Sequence, residues 1–327
     1  MIRTTIKNIL LLILWGSVIC SGANAKEQST QPGGSTTSAT VSADKSLYTR
    51  RGADTCAMCH DEDSAFPVYP IYKTKHAQPA DERTPFGGLQ CEACHGPGAK
   101  HAQWVQPGEQ QAPITTFGAR STLTARQQNQ ICLGCHKGQQ RIAWHSSVHE
   151  SNDTACTHCH KIHVSHDPVL SARSQPNVCY QCHKKTRSDF LKPSIHPVRF
   201  GKMACSDCHQ VHGSSSPSIL NQPTVNQTCY NCHAEKRGPL LWEHAPVTED
   251  CGICHSPHGS VQPALLKKRA PLLCQQCHSQ FGHPSVPRST SGLPNGNPSA
   301  YLLAGSCTNC HSHVHGSNHP SGATLMR

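Results

Sequence analysis

CSDCHQVHG (205–213) and CGICHSPHG (251–259) are two copies of one phrase: Cys-x-x-Cys-His, a second His three residues on, then Gly. Working outward from them, Cys-x-x-Cys-His recurs ten times. The copies are Cys56, Cys59, His60; Cys91, Cys94, His95; Cys132, Cys135, His136; Cys156, Cys159, His160; and Cys179, Cys182, His183. Then follow Cys205, Cys208, His209; Cys229, Cys232, His233; Cys251, Cys254, His255; Cys274, Cys277, His278; and Cys307, Cys310, His311. Of 21 cysteines only Cys20 stands outside a motif, and it lies in an apolar leader.

Two thiols at this spacing can add to the vinyl groups of a porphyrin while the adjacent imidazole ligates its iron. A zinc ribbon pairs two Cys-x-x-Cys knuckles and needs no His after each. A disulfide framework suits an exported chain but has no use for a His after every second Cys. The motifs therefore predict ten covalently attached haem c groups, with the twenty motif cysteines as anchors and the ten motif histidines as iron ligands.

The chain has 25 histidines, so fifteen remain. Each even-numbered motif has one His upstream and one close downstream: His76 and His101, His149 and His163, His196 and His212, His244 and His258, His283 and His315. Odd motifs lack the downstream His. The repeating unit is thus a two-haem module, present five times. Its ten additional histidines supply one distal ligand per iron, although spacing alone does not assign each to its haem. His145, His158, His166, His313 and His319 are left over as surface or propionate-contacting residues. The four methionines are Met1, Met58, Met203 and Met326, so bis-His ligation is expected throughout, with low potentials and no open coordination position for a substrate. No catalytic residue is assigned.

Composition bounds the fold. Hydrophobic residues are 35%, against about 45–50% in ordinary domains. Gly and Pro number 24 each. So sparse an apolar set offsets chain entropy poorly. The expected fold class is a multihaem cytochrome c of irregular loops, with short helices following many motifs, drawn out as an elongated haem wire in which haems replace the hydrophobic core. Trp104, Trp144 and Trp242 are expected to pack on haem faces, and Lys267-Lys268-Arg269 to be a solvated loop. The stretch from Pro284 to Ala304 reads as a long loop available to a partner.

Residues 1–25 read as a secretory signal: Arg3 and Lys7, an apolar run from Ile9 to Ile19, and Ala23-Asn24-Ala25 before Lys26. Ile19 argues against lipidation at Cys20. Residues 26–54 read as a flexible arm and 55–327 as the decahaem domain. The formal charge of +10 overstates basicity. Losing Arg3 and Lys7 gives about +8, and ten ferric haems with ionised propionates at about −1 each bring it to about −2, which excludes nucleic acid as a partner.

The runs NCHAEKRGPLLWEHAPVTEDCGICHSPHGS (231–260), RAPLLCQQCHS (269–279) and CHSHVHGSNHPSG (310–322) resemble the periplasmic decahaem cytochromes of porin–cytochrome conduits, the MtrA type, with the iron-oxidation homologues MtoA and PioA. The resemblance runs from about Arg51 to the C-terminus. It implies a periplasmic protein associated with the outer membrane and inserted in an MtrB-like β-barrel porin. Its further partners would be periplasmic or inner-membrane cytochromes on one side and an extracellular cytochrome or iron on the other. Likeness to the iron-oxidising branch implies electrons from ferrous iron, with outward flow to ferric acceptors as the alternative. A soluble periplasmic carrier without a barrel, and a multihaem reductase, are the competing functions. The reductase would want a five-coordinate haem, for which the sequence offers neither Cys-x-x-Cys-Lys nor a missing distal His.

Overall fold

The computed structural model describes residues 44–278 and 306–326. The leader, the arm to residue 43, His283 and the 284–304 loop lie outside the described residues. Each motif is one helical turn. In all ten, the His N–H donates to the carbonyl of the first Cys at 2.8–3.1 Å, which sets the two thiols on one side of the turn with the imidazole directly after them.

Odd and even motifs are built differently. Odd motifs close short helices: Ala53–Ala57, Ala125–Leu133, Gln175–Cys179, Val225–Tyr230 and Ala270–Cys274. Thr124 starts the second of these with a reciprocal capping box to Gln127, and Thr224 caps the fourth. Even motifs begin their turns, as at Glu92–His95, Cys156–Cys159, Cys205–Asp207, Cys251–Ile253 and Cys307–Asn309. Helices therefore lead into the odd motifs more than they follow motifs. After His233, for example, a single 3-10 turn over Ala234–Lys236 is stopped by Gly238-Pro239.

Among the described residues there is no strand, only isolated antiparallel bridges. His209–Leu220 and His255–Leu266 close equivalent loops within modules, while Ser194–Ser260 and Trp242–Ser317 tie one module to the next. Among the described residues nine hydrophobic ones are buried, four of them alanine. The one cluster they form is Ala53, Ile71, Ala77 and Phe86, backed by Cys91 and Ile162. Side chains alone thus supply little of an interior, as the composition predicts.

Buried amides join the two halves of a module. Asn129 accepts from the Cys156 N–H at 2.7 Å and donates to the Thr154 carbonyl at 3.0 Å. Asn226 accepts from the Cys251 N–H at 2.7 Å and donates to the Val247 carbonyl at 2.9 Å. Gln175 accepts from the Ser206 N–H, and half-buried Gln90 accepts from the Ala53 N–H. Residues 44–54, expected as the end of the arm, are held by the same logic: buried Glu92 accepts from the Thr49 N–H, the Thr49 hydroxyl and the Gly98 N–H.

Candidate haem sites

Nine motif histidines each face a second imidazole. Ring centres lie 6.4 Å apart for His60–His101 and 5.9 Å for both His95–His163 and His136–His76. They lie 6.1 Å apart for His160–His212, 6.3 Å for His183–His149 and 5.9 Å for His209–His258. The last three, His233–His196, His255–His315 and His278–His244, are at 6.4, 6.2 and 6.1 Å. Two imidazoles bound through Nε2 to one iron, with bonds of about 2.0 Å and about 1.1 Å from each nitrogen to its ring centre, put the centres about 6.2 Å apart. The donor sets fit an iron porphyrin. The partner expected for His311 by elimination, His283, lies outside the described residues. Among the described residues none of His145, His158, His166, His313 and His319 joins such a pair.

Hydrogen bonding sets the tautomers. His95, His101, His149, His196, His209, His244, His255 and His311 each place Nδ1 at 2.7–2.9 Å from a backbone carbonyl. A carbonyl only accepts, so Nδ1 carries the proton and the Nε2 lone pair is free for a metal. His158 and His319 are reversed: their Nδ1 atoms accept from the Ala155 and Ser321 N–H groups. Local chemistry thus sets His158 and His319 apart from the candidate ligands. Burial, first among the causes, lowers the proton affinity of His76, His136, His163, His212, His258 and His315, which keeps their lone pairs available.

Buried polar atoms without a protein partner include Nδ1 of His60 and His212, Arg141 Nε and Trp144 Nε1. Trp144 is 6% exposed and its ring lies 6.2 Å from that of His212, so it packs beside a histidine pair. Its N–H and the Arg141 guanidinium are donors suited to a propionate. Trp242 instead donates to the His319 carbonyl at 2.9 Å, and Trp104 is exposed.

The pairing has a rule that spacing did not disclose. From the second module on, the downstream His faces the even motif of the module before: His163 faces His95, His212 faces His160, His258 faces His209 and His315 faces His255. The upstream His faces the odd motif of the module after: His76 faces His136, His149 faces His183, His196 faces His233 and His244 faces His278. His101, with no module before it, faces His60 of its own. The two sets are locked together. His149, His196 and His244 donate to the carbonyls of Val211, Pro257 and Val314, each the residue before the next module's downstream His.

The thiols run in single file. Cys56 meets Cys91, Cys132 meets Cys156, Cys179 meets Cys205, Cys229 meets Cys251 and Cys274 meets Cys307 within modules. Cys94 then neighbours Cys132 and Cys135, Cys159 neighbours Cys182, Cys208 neighbours Cys232, and Cys254 neighbours Cys277 across modules. Burial pushes the Cys229 thiol up to about 12 and Cys274 to about 11.

One-turn motifs presenting paired thiols, crossed by imidazole pairs at iron-spanning distance and strung in file, define a multihaem c-type cytochrome, an electron-transfer protein with covalent haem c as its cofactor. Residues 196–238 and 244–283 match the family described as a doubled CXXCH motif, and residues 91–176 match the cytochrome c-type protein NrfB-like family. A multihaem cytochrome MtrA of Shewanella baltica is 49% identical over 282 residues, covering 86% of this chain and 83% of its own. The chain belongs to the MtrA-type multihaem cytochromes.

The Asn129, Asn226 and Gln175 clamps hold even motifs to odd ones and are barely marked in the sequence. Their only sequence signal is an amide three or four residues before an odd first Cys.

Proposed function

We propose that this chain carries ten bis-His haems and conducts electrons across the outer membrane inside a β-barrel porin. The barrel would be MtrB-like, with periplasmic or inner-membrane cytochromes at one end and extracellular iron, directly or through an outer cytochrome, at the other. Residues 1–25 are a cleaved secretory signal on this reading, residues 55–327 are the decahaem domain, and the mature protein is periplasmic and bound to the outer membrane.

The observation that carries the proposal is the unbroken file of thiols flanked by nine imidazole pairs. Haem supplies a one-electron ferric/ferrous couple. The paired cysteines would hold the porphyrins, the facing imidazoles would keep exogenous ligands from iron, and the Nδ1 hydrogen bonds hold the rings in place. No helix among the described residues is long and apolar enough to cross a membrane. Crossing a hydrocarbon core of about 30 Å then falls to a partner with a closed backbone, which a barrel provides. The wire is indifferent to direction. Resemblance to the iron-oxidising branch makes ferrous iron the proposed donor.

The test begins with outer membranes from the native host, extracted in mild detergent and pulled on this chain. The purified species enters liposomes holding a reduced viologen dye, with ferric citrate outside. Co-purification of a barrel and dye oxidation across the sealed bilayer support the conduit. A barrel-free monomer with no transmembrane oxidation refutes it and leaves a periplasmic carrier. Deleting the gene from the host tests direction, by whether ferrous iron oxidation or ferric reduction is lost.

A further inference from the structure

The five even-motif histidines share a design with one exception. His95, His209, His255 and His311 donate Nδ1–H to the backbone carbonyls of Thr115, Ser218, Ala264 and Thr324. His160 donates instead to a carboxylate, Asp167 Oδ2, at 2.7 Å.

The substitution is built into the loop. In the third and fourth modules a Pro stands eight residues after the motif His, at Pro217 and Pro263, and the next residue supplies the acceptor. To aim that carbonyl, Ser218 and Ala264 each adopt φ of +54° inside a 3-10 turn, a left-handed conformation costly for a non-glycine residue. The second module has its Pro at the same place, Pro168, but its 3-10 turn over Pro168–Leu170 is regular and Val169 has no positive φ. Asp167, one residue earlier, reaches the ring itself. Its carboxylate is fixed from behind: Oδ1 accepts from the N–H groups of Lys161 at 3.2 Å and Val169 at 3.3 Å. The Asp167 side chain is 13% exposed, so water screens it little. The nearest carboxylate beside another described motif histidine, Glu235 next to His233, stands 3.7 Å away with both side chains exposed.

We infer that Asp167 is a redox-positioning residue, which makes the haem held by Cys156, Cys159 and His160 the lowest in potential of the five even-motif haems. The inference rests on the reading of His160 and His212 as ligands of one iron. A carboxylate on Nδ1–H makes the imidazole a stronger donor and adds negative charge near the iron, and both stabilise ferric over ferrous. Losing an outer-shell partner of this kind typically costs about 10- to 100-fold in metal affinity or activity.

The test is Asp167→Asn in the haem-loaded protein, which keeps the shape and removes the charge. A spectroelectrochemical titration is expected to show one haem equivalent in ten moving upward, by at least a tenfold change in its oxidised-to-reduced ratio at fixed potential, or 59 mV for a one-electron couple. Haem content and the all-low-spin ferric spectrum are expected to stay as in the parent. Asp167→Glu, with the charge on a longer arm, is expected to fall between the two. The unaltered protein gives a second readout that does not depend on a variant's folding: one low-spin EPR component in ten should have a narrowed g-spread from the more basic imidazole. An unshifted titration curve with full haem loading overturns the inference and leaves the ligand assignment standing. So does the absence of a narrowed component. A high-spin signal in the parent protein refutes the ligand assignment itself.

Discussion

His212 sits three residues after His209 yet faces His160, in the module before. At this scale the sequence was legible by counting: ten motif histidines, ten more in a repeating position, five left over. The pairing was not, because the imidazoles that meet are separated by module boundaries and no local signal names the partner. The acceptors were also hidden, since Ser218 and Ala264 take left-handed conformations that their residue types do not advertise. Replacing His212 with Ala should turn the haem at Cys156 and Cys159 high-spin while the haem of its own module stays low-spin. EPR together with one-haem assignments would check this, and a high-spin haem at Cys205 and Cys208 would contradict the pairing.

At the scale of elements, short helices ending in odd motifs are clamped to even motifs by buried amides. Asn226→Ala leaves the Cys251 N–H and the Val247 carbonyl without their side-chain partner, at a cost of about 1–3 kcal/mol. Faster hydrogen exchange at the Cys251 amide, with the Cys156 amide unchanged, is the expected sign. Gly213 plays a different part. It has φ of +116°, and a Cβ there would run into the Ala143 carbonyl of the preceding module. Gly213→Ala should cost about 1–3 kcal/mol and loosen His212 from its iron, seen as partial high-spin character. The Cys-x-x-Cys-His-x-x-His-Gly phrase carried the Gly in plain view, but its reason is a contact between modules. One-turn helices were expected from the Gly and Pro content. At two of the five odd motifs the helix start is set by the Thr124 and Thr224 caps, a signal carried by the sequence itself.

For the whole molecule, interlocking histidine pairs make each module incomplete without its neighbours. With few buried side chains, the chain should not hold its fold unless haem is attached. Protein made where haem attachment is blocked is expected to give a far-UV CD spectrum of an unfolded chain and to be degraded rapidly, and a folded, protease-resistant apoprotein would oppose this. The haem wire was legible because composition and motif count agree; its connectivity was not, because it depends on contacts between residues as far apart as His244 and Val314. The most direct test is an anomalous iron map from crystals of the haem-loaded protein. Ten iron peaks in file are expected, nine of them between the imidazole pairs named above and the tenth between His311 and His283. Fewer peaks, or irons whose distal histidines come from their own modules throughout, would contradict this arrangement.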